Sequence, residues 1–377
     1  MPRNIRGRLD RLKQRRSGTD RLDWLIESER ADILLKSILD EPWQKRVSVN
    51  TPNTRYAIGS MAQVEPEYTA ISLETATRVG KQLKANLEAA GFSIEFRLQG
   101  SVPLDVHIRG VSDVDLLTLD TQILIYCSDG VLGQSGYYSP SKMTSLEALK
   151  KLRAQAEVIL TTKFPAAKVD CTGGKAICIS GGSLARPVDV VPSIWWDTVD
   201  YQTTRQEHDR GVNILNRKVP ETLQNQPFRH IKRINDFDAV ARGGLKKAIR
   251  LCKHVKNDAQ EEGTVIDLPS FDIAATMYHA NLQQLSTNQY YELGVLAETQ
   301  RHLDFLATNH DEARKLYVPD GSRKIFDSSD KLRGLNALST EMDDLMTEVA
   351  KEQAPLLGAT PSWYDSRNVL AKSIVAG

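Results

Sequence analysis

Two aspartates, Asp113 and Asp115, stand one residue apart at the start of an apolar run that ends at Leu119. Such a run is typical of a buried strand, and residues two apart in a strand point to the same face of the sheet. Their carboxylates would therefore lie side by side and repel each other unless a cation lay between them. Mg²⁺ and Mn²⁺ prefer such hard oxygen ligands, and Mg²⁺ is usually held by one or two carboxylates together with substrate phosphates. The pair therefore predicts a divalent-cation site that also handles phosphate.

A third carboxylate, Asp189, is the single charge in a second apolar run, residues 188 to 191. The β-branched valines around it indicate a strand, and Pro192 is expected to close that strand. A lone buried carboxylate needs partners to offset the loss of its hydration. We therefore expect Asp189 to join Asp113 and Asp115 across the sheet, as the third ligand of a site for two ions.

Gly100 and Ser101 follow another predicted strand, residues 92 to 99, in which apolar and polar residues alternate. A glycine lets the backbone approach a phosphate closely. Ser101 adds a hydroxyl, and a short helix after it would expose N–H groups that favour anions. A Gly-Ser pair alone is weak, since Gly59-Ser60 repeats it with no acidic pair behind it. Joined to the strand and the three aspartates, it predicts nucleotidyl transfer.

A basic ridge occurs farther along the chain, where residues 236 to 257 predict one amphipathic helix. Apolar residues recur in it at helical spacing, and Lys246, Arg250 and Lys253 lie beside them. Most such ridges are solvated faces of a helix. The alternative is that one or two of these cations reach the phosphates of a substrate. The sequence leaves both interpretations open.

The order Gly100-Ser101, Asp113-x-Asp115, Asp189 resembles the polymerase-β-type nucleotidyltransferase superfamily. Within it, the chain is most similar to the bacterial cGAS/DncV-like nucleotidyltransferases (CD-NTases), relatives of animal cyclic GMP–AMP synthase and oligoadenylate synthase. The resemblance covers about residues 70 to 350. The further segments that carry it are Asp189–Pro192, Asn213–Asn216, Leu245–Lys253 and Val318–Arg323.

The elements that must position these residues divide the chain in two. A helix from about 70 to 90 precedes the Gly-Ser strand, and a capping box, Thr144 to Glu147, opens another. We expect an α/β (α+β) fold. Residues 1–220 would form N-terminal helices and a polymerase-β-like nucleotidyltransferase lobe with a mixed sheet, and residues 221–377 a helical C-terminal lobe with a tail.

The resemblance implies that Asp113, Asp115 and Asp189 are the catalytic residues and hold two Mg²⁺ or Mn²⁺ ions. Asp189 would ligate the ion that activates the attacking sugar hydroxyl. Gly100 and Ser101 would bind the phosphates of the nucleotide.

Lys246, Lys253, Ser270 and Phe271 complete the implied nucleotide site. Lys253 falls where a lysine of the family contacts the triphosphate tail, and Ser270 falls where a serine touches phosphate. Phe271 takes the place of an aromatic residue that stacks on the base, although it offers no hydroxyl. The alternative for Phe271 is a core residue at the start of a helix.

The activity that the resemblance implies is synthesis of a cyclic di- or trinucleotide second messenger from NTPs, ATP among them, in bacterial anti-phage signalling (CBASS). One site would act at least twice, first to join two nucleotides and then to close the ring. The implied partners are the NTPs, a downstream effector that responds to the product and an accessory regulator. The last residues predict a short flexible tail, and the alternative that the resemblance implies is a conjugation site for accessory enzymes at Gly377.

Composition limits the competing functions. Lys and Arg number 49 against 48 Asp and Glu, for a net charge of +1, and aromatic residues make up 6% of the chain. A template-independent RNA or tRNA nucleotidyltransferase, or a linear oligonucleotide synthase, remains the alternative, although an enzyme that extends a strand needs a basic track or stacking aromatics. A catalytically dead binding module would not need three metal ligands.

The sequence also predicts where in the cell the protein lies and what its N-terminal residues form. No apolar leader and no run of about 20 apolar residues occurs, so we expect a cytoplasmic enzyme without contact to the membrane. The four cysteines lack metal-binding spacing and are expected to be reduced. Residues 1 to 16 hold seven Arg or Lys against one acid. They predict a solvated outer helix, with a nucleic-acid arm as the alternative, and residues 47 to 66 have the character of a loop.

Overall fold

The computed structural model of the chain describes residues 5–20, 34, 40–357 and 365–375. Its strands, β1 to β7 in chain order, are Ile94–Gln99, Val114–Tyr126, Lys168–Asp170, Ile177–Ser180, Val188–Asp197, Gly211–Asn216 and Glu221–Asn225. Its helices, α1 to α15 in chain order, are Ile5–Ser17, Pro42–Arg46, Pro52–Met61, Pro66–Ala89, Val131–Gln134, Ser145–Lys163, Val199–Thr204, Pro227–Val240, Gly244–Glu261, Ser270–Tyr278, Leu282–Ser286, Gly294–Thr308, His310–Ala313, Ser329–Gln353 and Ser366–Lys372. No helix in the described part of the chain is long and apolar enough to cross a membrane. The predicted conjugation site, Gly377, lies outside the described residues.

The chain forms two compact units, each built from separated stretches. The sheet unit comprises Glu65–Leu104 and Ser112–Arg233. The helical unit comprises Met1–Val64, Asp105–Val111 and Ile234–Gly377. The N-terminal helices, which the sequence prediction grouped with the catalytic lobe, therefore pack with the C-terminal helices. The fold class is confirmed, since one unit contains a mixed sheet and the other is helical.

The sheet has the strand order β1-β2-β5-β4-β3. Strand β6 pairs with β5 on one side and with β7 on the other. Only β2 and β5 run parallel, and the other neighbours are antiparallel. One face packs on helices α4 and α6 through side chains such as Leu83, Leu152 and Val190. The capping box opens α6 as predicted, with Thr144 accepting from the N–H of Glu147. Helices α4 and α6 thus cover one face of the sheet.

Pro192 does not close its strand, contrary to the sequence prediction, because β5 continues to Asp197. A proline is normally excluded from an inner strand because it has no N–H to donate. Here β5 changes partners at this point. It pairs with β4 through Val190 and with β6 from Ser193 onward, and Pro192 belongs to neither ladder. Pro192 therefore has no register partner on that edge of β5, whereas on the other edge it is paired with Thr118 of β2.

Two other sequence predictions are wrong. Residues 47 to 66 contain the buried helix α3 rather than only a loop. The single helix predicted over 236 to 257 is two helices, α8 and α9, because the backbone turns between them at Arg242 and Gly243. Both residues have positive φ, 51° and 87°, and a glycine adopts that conformation without steric cost.

One face of the basic helix α1 is buried and includes Arg8, Arg15 and Arg16, so the predicted solvated helix is wrong for that face. Arg8 is 1% exposed and donates to Glu341 at 2.7 Å. Arg15 donates to Oδ1 of Asp258 at 2.7 Å, and Oδ2 of the same carboxylate accepts from the Tyr56 hydroxyl at 2.6 Å. Buried guanidinium groups need such partners. These arginines are engaged inside the helical unit, which does not support the alternative of a nucleic-acid arm.

Acid should weaken the helical unit through His302. This side chain is buried, its Nε2 lies 3.0 Å from the Thr276 carbonyl oxygen, and burial lowers its pKa to about 4. An unfolded histidine titrates near pH 6.5, so the unfolded chain takes up the proton first as the pH falls. The stabilisation is therefore complete above about pH 6.5 and is lost towards pH 4. We expect His302 to lower the free energy of unfolding by about 1 kcal/mol as the pH falls from 6.5 to 5.5.

The measurement is the thermal unfolding midpoint against pH for the wild-type chain and for His302→Gln. Glutamine stays neutral and can donate to the same carbonyl, so the variant should lose less stability in acid. An identical pH dependence in the two proteins would contradict the assignment.

Candidate active site

Asp115 and Asp189 are direct neighbours in the sheet. They are register partners on the parallel strands β2 and β5, one residue after each strand begins. Register partners on adjacent strands point to the same face. Val114 and Val188, the residues before them, join the core on the opposite face. The two carboxylates therefore lie side by side on the face away from α4 and α6.

Asp113 stands just before β2 and is exposed. Its charge contributes to raising the pKa of the Cys178 thiol on β4. Cys178 is the register partner of Asp189. Because the charge of Asp113 acts on the Cys178 thiol, Asp113 lies near the same end of these strands. The three predicted carboxylates thus all belong to one unit and one end of its strands.

Gly100 lies directly against Asp115. Its φ is 79°, and a Cβ built on it would overlap Oδ2 of Asp115 and lie 3.1 Å from Cγ. Only a glycine fits this backbone position without strain or collision. The predicted close approach to a phosphate stays a prediction, whereas the close approach to the Asp115 carboxylate is observed. Ser101 follows in a run of turns over residues 101–105 rather than in the short helix we expected.

Asp189 carries the electrostatic signature of a buried acid. Burial raises its pKa, and a hydrogen bond with the Cys178 thiol opposes that rise. Burial and the nearby Asp189 raise the pKa of the thiol to about 12. A thiol with a raised pKa favours its neutral form, which can donate a hydrogen bond to a neighbouring carboxylate. The sequence alone does not identify Cys178 as a neighbour of Asp189, because strand alternation shows which face it takes but not which strand lies beside it.

The donor set fits a divalent cation that is completed by a substrate. Among the residues that the structure describes, no group of three or more His, Cys, Asp or Glu side chains forms a ready metal cage. Mg²⁺ does not need one, since it is usually held by one or two carboxylates together with phosphate oxygens and water. Asp115 and Asp189 supply two adjacent carboxylates, and a nearby cation would favour the ionised form that burial disfavours at Asp189.

The two lysines of the implied nucleotide site lie on α9, in the helical unit. Lys253 is 5% exposed, and its Nζ donates to the Val106 carbonyl at 2.7 Å. Lys246 is less buried, with its Nζ 3.9 Å from Oδ2 of Asp238. Of the two interpretations that the sequence left open, the solvated ridge is wrong for Lys253 and also for Arg250, which is 3% exposed. The sequence could not show which segment covers these cations.

Ser270 and Phe271 also lie in the helical unit. Ser270 is exposed and is the first residue of α10. Phe271 is half-buried, with the Arg323 guanidinium carbon 5.4 Å from the centre of its ring. Both residues stand at the start of a helix, which agrees with that part of the alternative for Phe271. Their roles in binding a nucleotide stay predictions.

Arg250 forms hydrogen bonds that hold the start of the segment 105–111 in place. In the sequence, this segment lies between Ser101 and Asp113. Nε of Arg250 donates to the Met61 carbonyl at 2.8 Å, and its Nη1 donates to the Asp105 carbonyl at 2.7 Å. Asp105 has φ 54°, a strained conformation for a residue other than glycine. The buried cation thus holds a strained turn in place inside the helical unit.

We expect Arg250→Met to lower the free energy of unfolding by about 3 to 5 kcal/mol, because it leaves buried carbonyls and the Asp105 carboxylate without their cation. Lys246→Met on the same helix is the matched control, and its cost should stay below about 1 kcal/mol because the ion pair there is loose. Urea denaturation of both variants tests this. Equal effects of the two substitutions would contradict the role of Arg250.

Comparison with known proteins identifies the family. Residues 232–347 match the cGAS/DncV-like nucleotidyltransferase C-terminal helical domain. The chain is 43% identical over 381 residues to the cyclic dinucleotide synthase CdnE of Yersinia aleksiciae, and the match covers 98% of each protein.

Solved structures agree in fold. A STING-associated CdnE c-di-GMP synthase from Flavobacteriaceae sp. is 21% identical, with a TM-score of 0.71 over 93% of this chain and 99% of that one. A STING-associated CdnE c-di-GMP synthase from Capnocytophaga granulosa is 27% identical, with a TM-score of 0.65 over 91% of this chain and 97% of that one. With a relative 43% identical along nearly the whole chain, the protein belongs to the cGAS/DncV-like nucleotidyltransferases.

Proposed function

We propose that this nucleotidyltransferase makes a cyclic dinucleotide from two NTPs, at a site built on Asp113, Asp115 and Asp189. The observation that supports the site best is the register pairing of Asp115 with Asp189. The likeness to a cyclic dinucleotide synthase over 98% of the chain supports the product.

Each transfer has the same balance of bonds. A sugar hydroxyl of one nucleotide attacks the α-phosphorus of another, a new P–O bond forms, and the bond to the leaving pyrophosphate breaks. The hydroxyl gives up its proton in the same step, and the Asp189 carboxylate would accept it. The second transfer occurs within the linear intermediate and closes the ring.

The three carboxylates would hold divalent cations, Mg²⁺ or Mn²⁺. When bound, these ions supply positive charge that stabilises the entering and leaving oxygens. Asp189, beside Asp115 in the sheet, would orient the attacking hydroxyl. Gly100 and Ser101 would lie beside the phosphates, and Lys246, Lys253, Ser270 and Phe271 keep the nucleotide-binding roles that the family resemblance implies. Positioning and charge stabilisation would supply most of the acceleration.

The relatives support a biological setting for this proposal. Two solved relatives are STING-associated c-di-GMP synthases, so GTP joins ATP as a first candidate substrate. The product would act on a downstream effector in anti-phage signalling in the cytoplasm. Conjugation at Gly377 and an accessory regulator remain part of this proposal.

The test is a nucleotide scan. The purified full-length chain is incubated with all four α-labelled NTPs and Mg²⁺ or Mn²⁺, treated with phosphatase and analysed by mass spectrometry. We expect a phosphatase-resistant dinucleotide whose mass contains no terminal phosphate. Products that stay linear, or that form only when RNA is added, would overturn the proposal in favour of a template-independent polymerase.

A further inference from the structure

Five polar side chains form a transverse row across the sheet, on the face away from α4 and α6. Successive register pairs join one member to the next across five strands. The members, from β1 to β3, are Gln99, Asp115, Asp189, Cys178 and Asp170. Because register partners share a face, Asp189 has a carboxylate on one side and a thiol on the other.

Cys178 is the only neutral hydrogen-bond donor beside Asp189 in this row of register partners. Its neighbours in β4, Ile177 and Ile179, are buried on the opposite face. The side chain of Cys178 is therefore fixed towards Asp189 by two flanking core residues. The register pairing places the thiol next to the Asp189 carboxylate on the same face of the sheet.

We propose that Cys178 is a positioning residue, whose thiol hydrogen bond holds the Asp189 carboxylate in the orientation that binds a divalent cation. This inference rests on the proposed function of Asp189. Groups that bond to metal ligands fix their orientation, and losing them typically weakens metal binding about 10- to 100-fold. Cys178 would act through Asp189, without touching the substrate itself.

The experiment measures Mn²⁺ binding directly, by the loss of the electron paramagnetic resonance signal of free Mn²⁺. The full-length chain is titrated in the presence of a non-hydrolysable GTP analogue. Cys178→Val and Cys178→Ala remove the donor, and each should raise the half-saturating Mn²⁺ concentration about 10- to 100-fold. Cys178→Ser keeps an O–H donor and should restore most of the affinity.

Cys171→Val is the matched control, since Cys171 is a half-buried cysteine of the same unit that packs against the core on the helix-covered face. It should bind Mn²⁺ like the wild type. The thermal unfolding midpoint of every variant shows whether it is folded, and Cys178→Ala serves if the larger valine does not fit.

Asp189→Asn separates the two claims. If it loses Mn²⁺ binding while Cys178→Ala and Cys178→Val bind like the wild type, the role of Cys178 is overturned and the proposed function stands. The role is also overturned if Cys178→Ser binds as weakly as Cys178→Val. If Asp189→Asn itself binds like the wild type, the proposed metal site fails, and the inference fails with it.

Discussion

Asp115→Asn and Asp189→Asn should each lower the rate of nucleotidyl transfer at least ~10³-fold, which corresponds to about 4 kcal/mol of transition-state stabilisation. Asparagine has nearly the shape of aspartate but lacks the charge that would hold a cation. Both residues occupy register-paired positions at the start of parallel strands, so removal of either leaves a single carboxylate in the pair. Steady-state release of pyrophosphate from NTPs measures the effect.

These substitutions should not unfold the chain. Burial raises the pKa of Asp189, so a neutral amide at this position should be tolerated, and we expect thermal unfolding midpoints no lower than that of the wild type. Asp170→Asn is the matched control, because Asp170 stands in the same row of the sheet on β3. Its carboxylate accepts from the N–H and hydroxyl of Thr172, and it should keep near-normal activity. Full activity in Asp189→Asn would refute the catalytic assignment.

Gly100→Ala should have the second largest effect, a loss of activity of about 10²-fold. The new methyl group would collide with Oδ2 of Asp115, and the positive φ adds a backbone cost of about 1 to 2 kcal/mol. Since the collision displaces the carboxylate, activity should fall much more than stability. The rate of NTP turnover and the thermal midpoint are measured together.

Gly136→Ala separates the collision from the backbone cost. Gly136 has φ 72°, close to that of Gly100, but a Cβ there would meet no atom within 4 Å. Both variants should lose similar stability, whereas only Gly100→Ala should lose activity. Similar activities of the two variants would show that the contact with Asp115 does not matter.

Local patterns predicted the elements of the sheet unit well. The alternation over residues 92 to 99 matches β1, and the apolar run after Asp113 matches β2. The capping box at Thr144 set the start of α6. Each of these signals depends on residues close in the chain. The family membership also followed from the sequence, because the spacing of the Gly-Ser and Asp motifs is a local property.

Long-range partners were beyond the sequence. The burial of basic residues in α1 and α9 had no local signal because their partners are distant, as with Arg15 and Asp258, 243 residues apart. Pro192 looked like a strand end because the change of partner along β5 has no local signal. Cys178 was missed for the same reason, since only the pairing of β4 with β5 places it beside Asp189.

The most direct test of the proposed site is to locate Mn²⁺ in crystals of the full-length chain grown with a non-hydrolysable GTP analogue. Anomalous diffraction identifies manganese without reference to its surroundings. We predict manganese bonded to carboxylate oxygens of Asp113, Asp115 and Asp189 and to phosphate oxygens of the nucleotide. Manganese held by the nucleotide alone, or by other residues of the chain, would contradict the assignment of these aspartates as the active site.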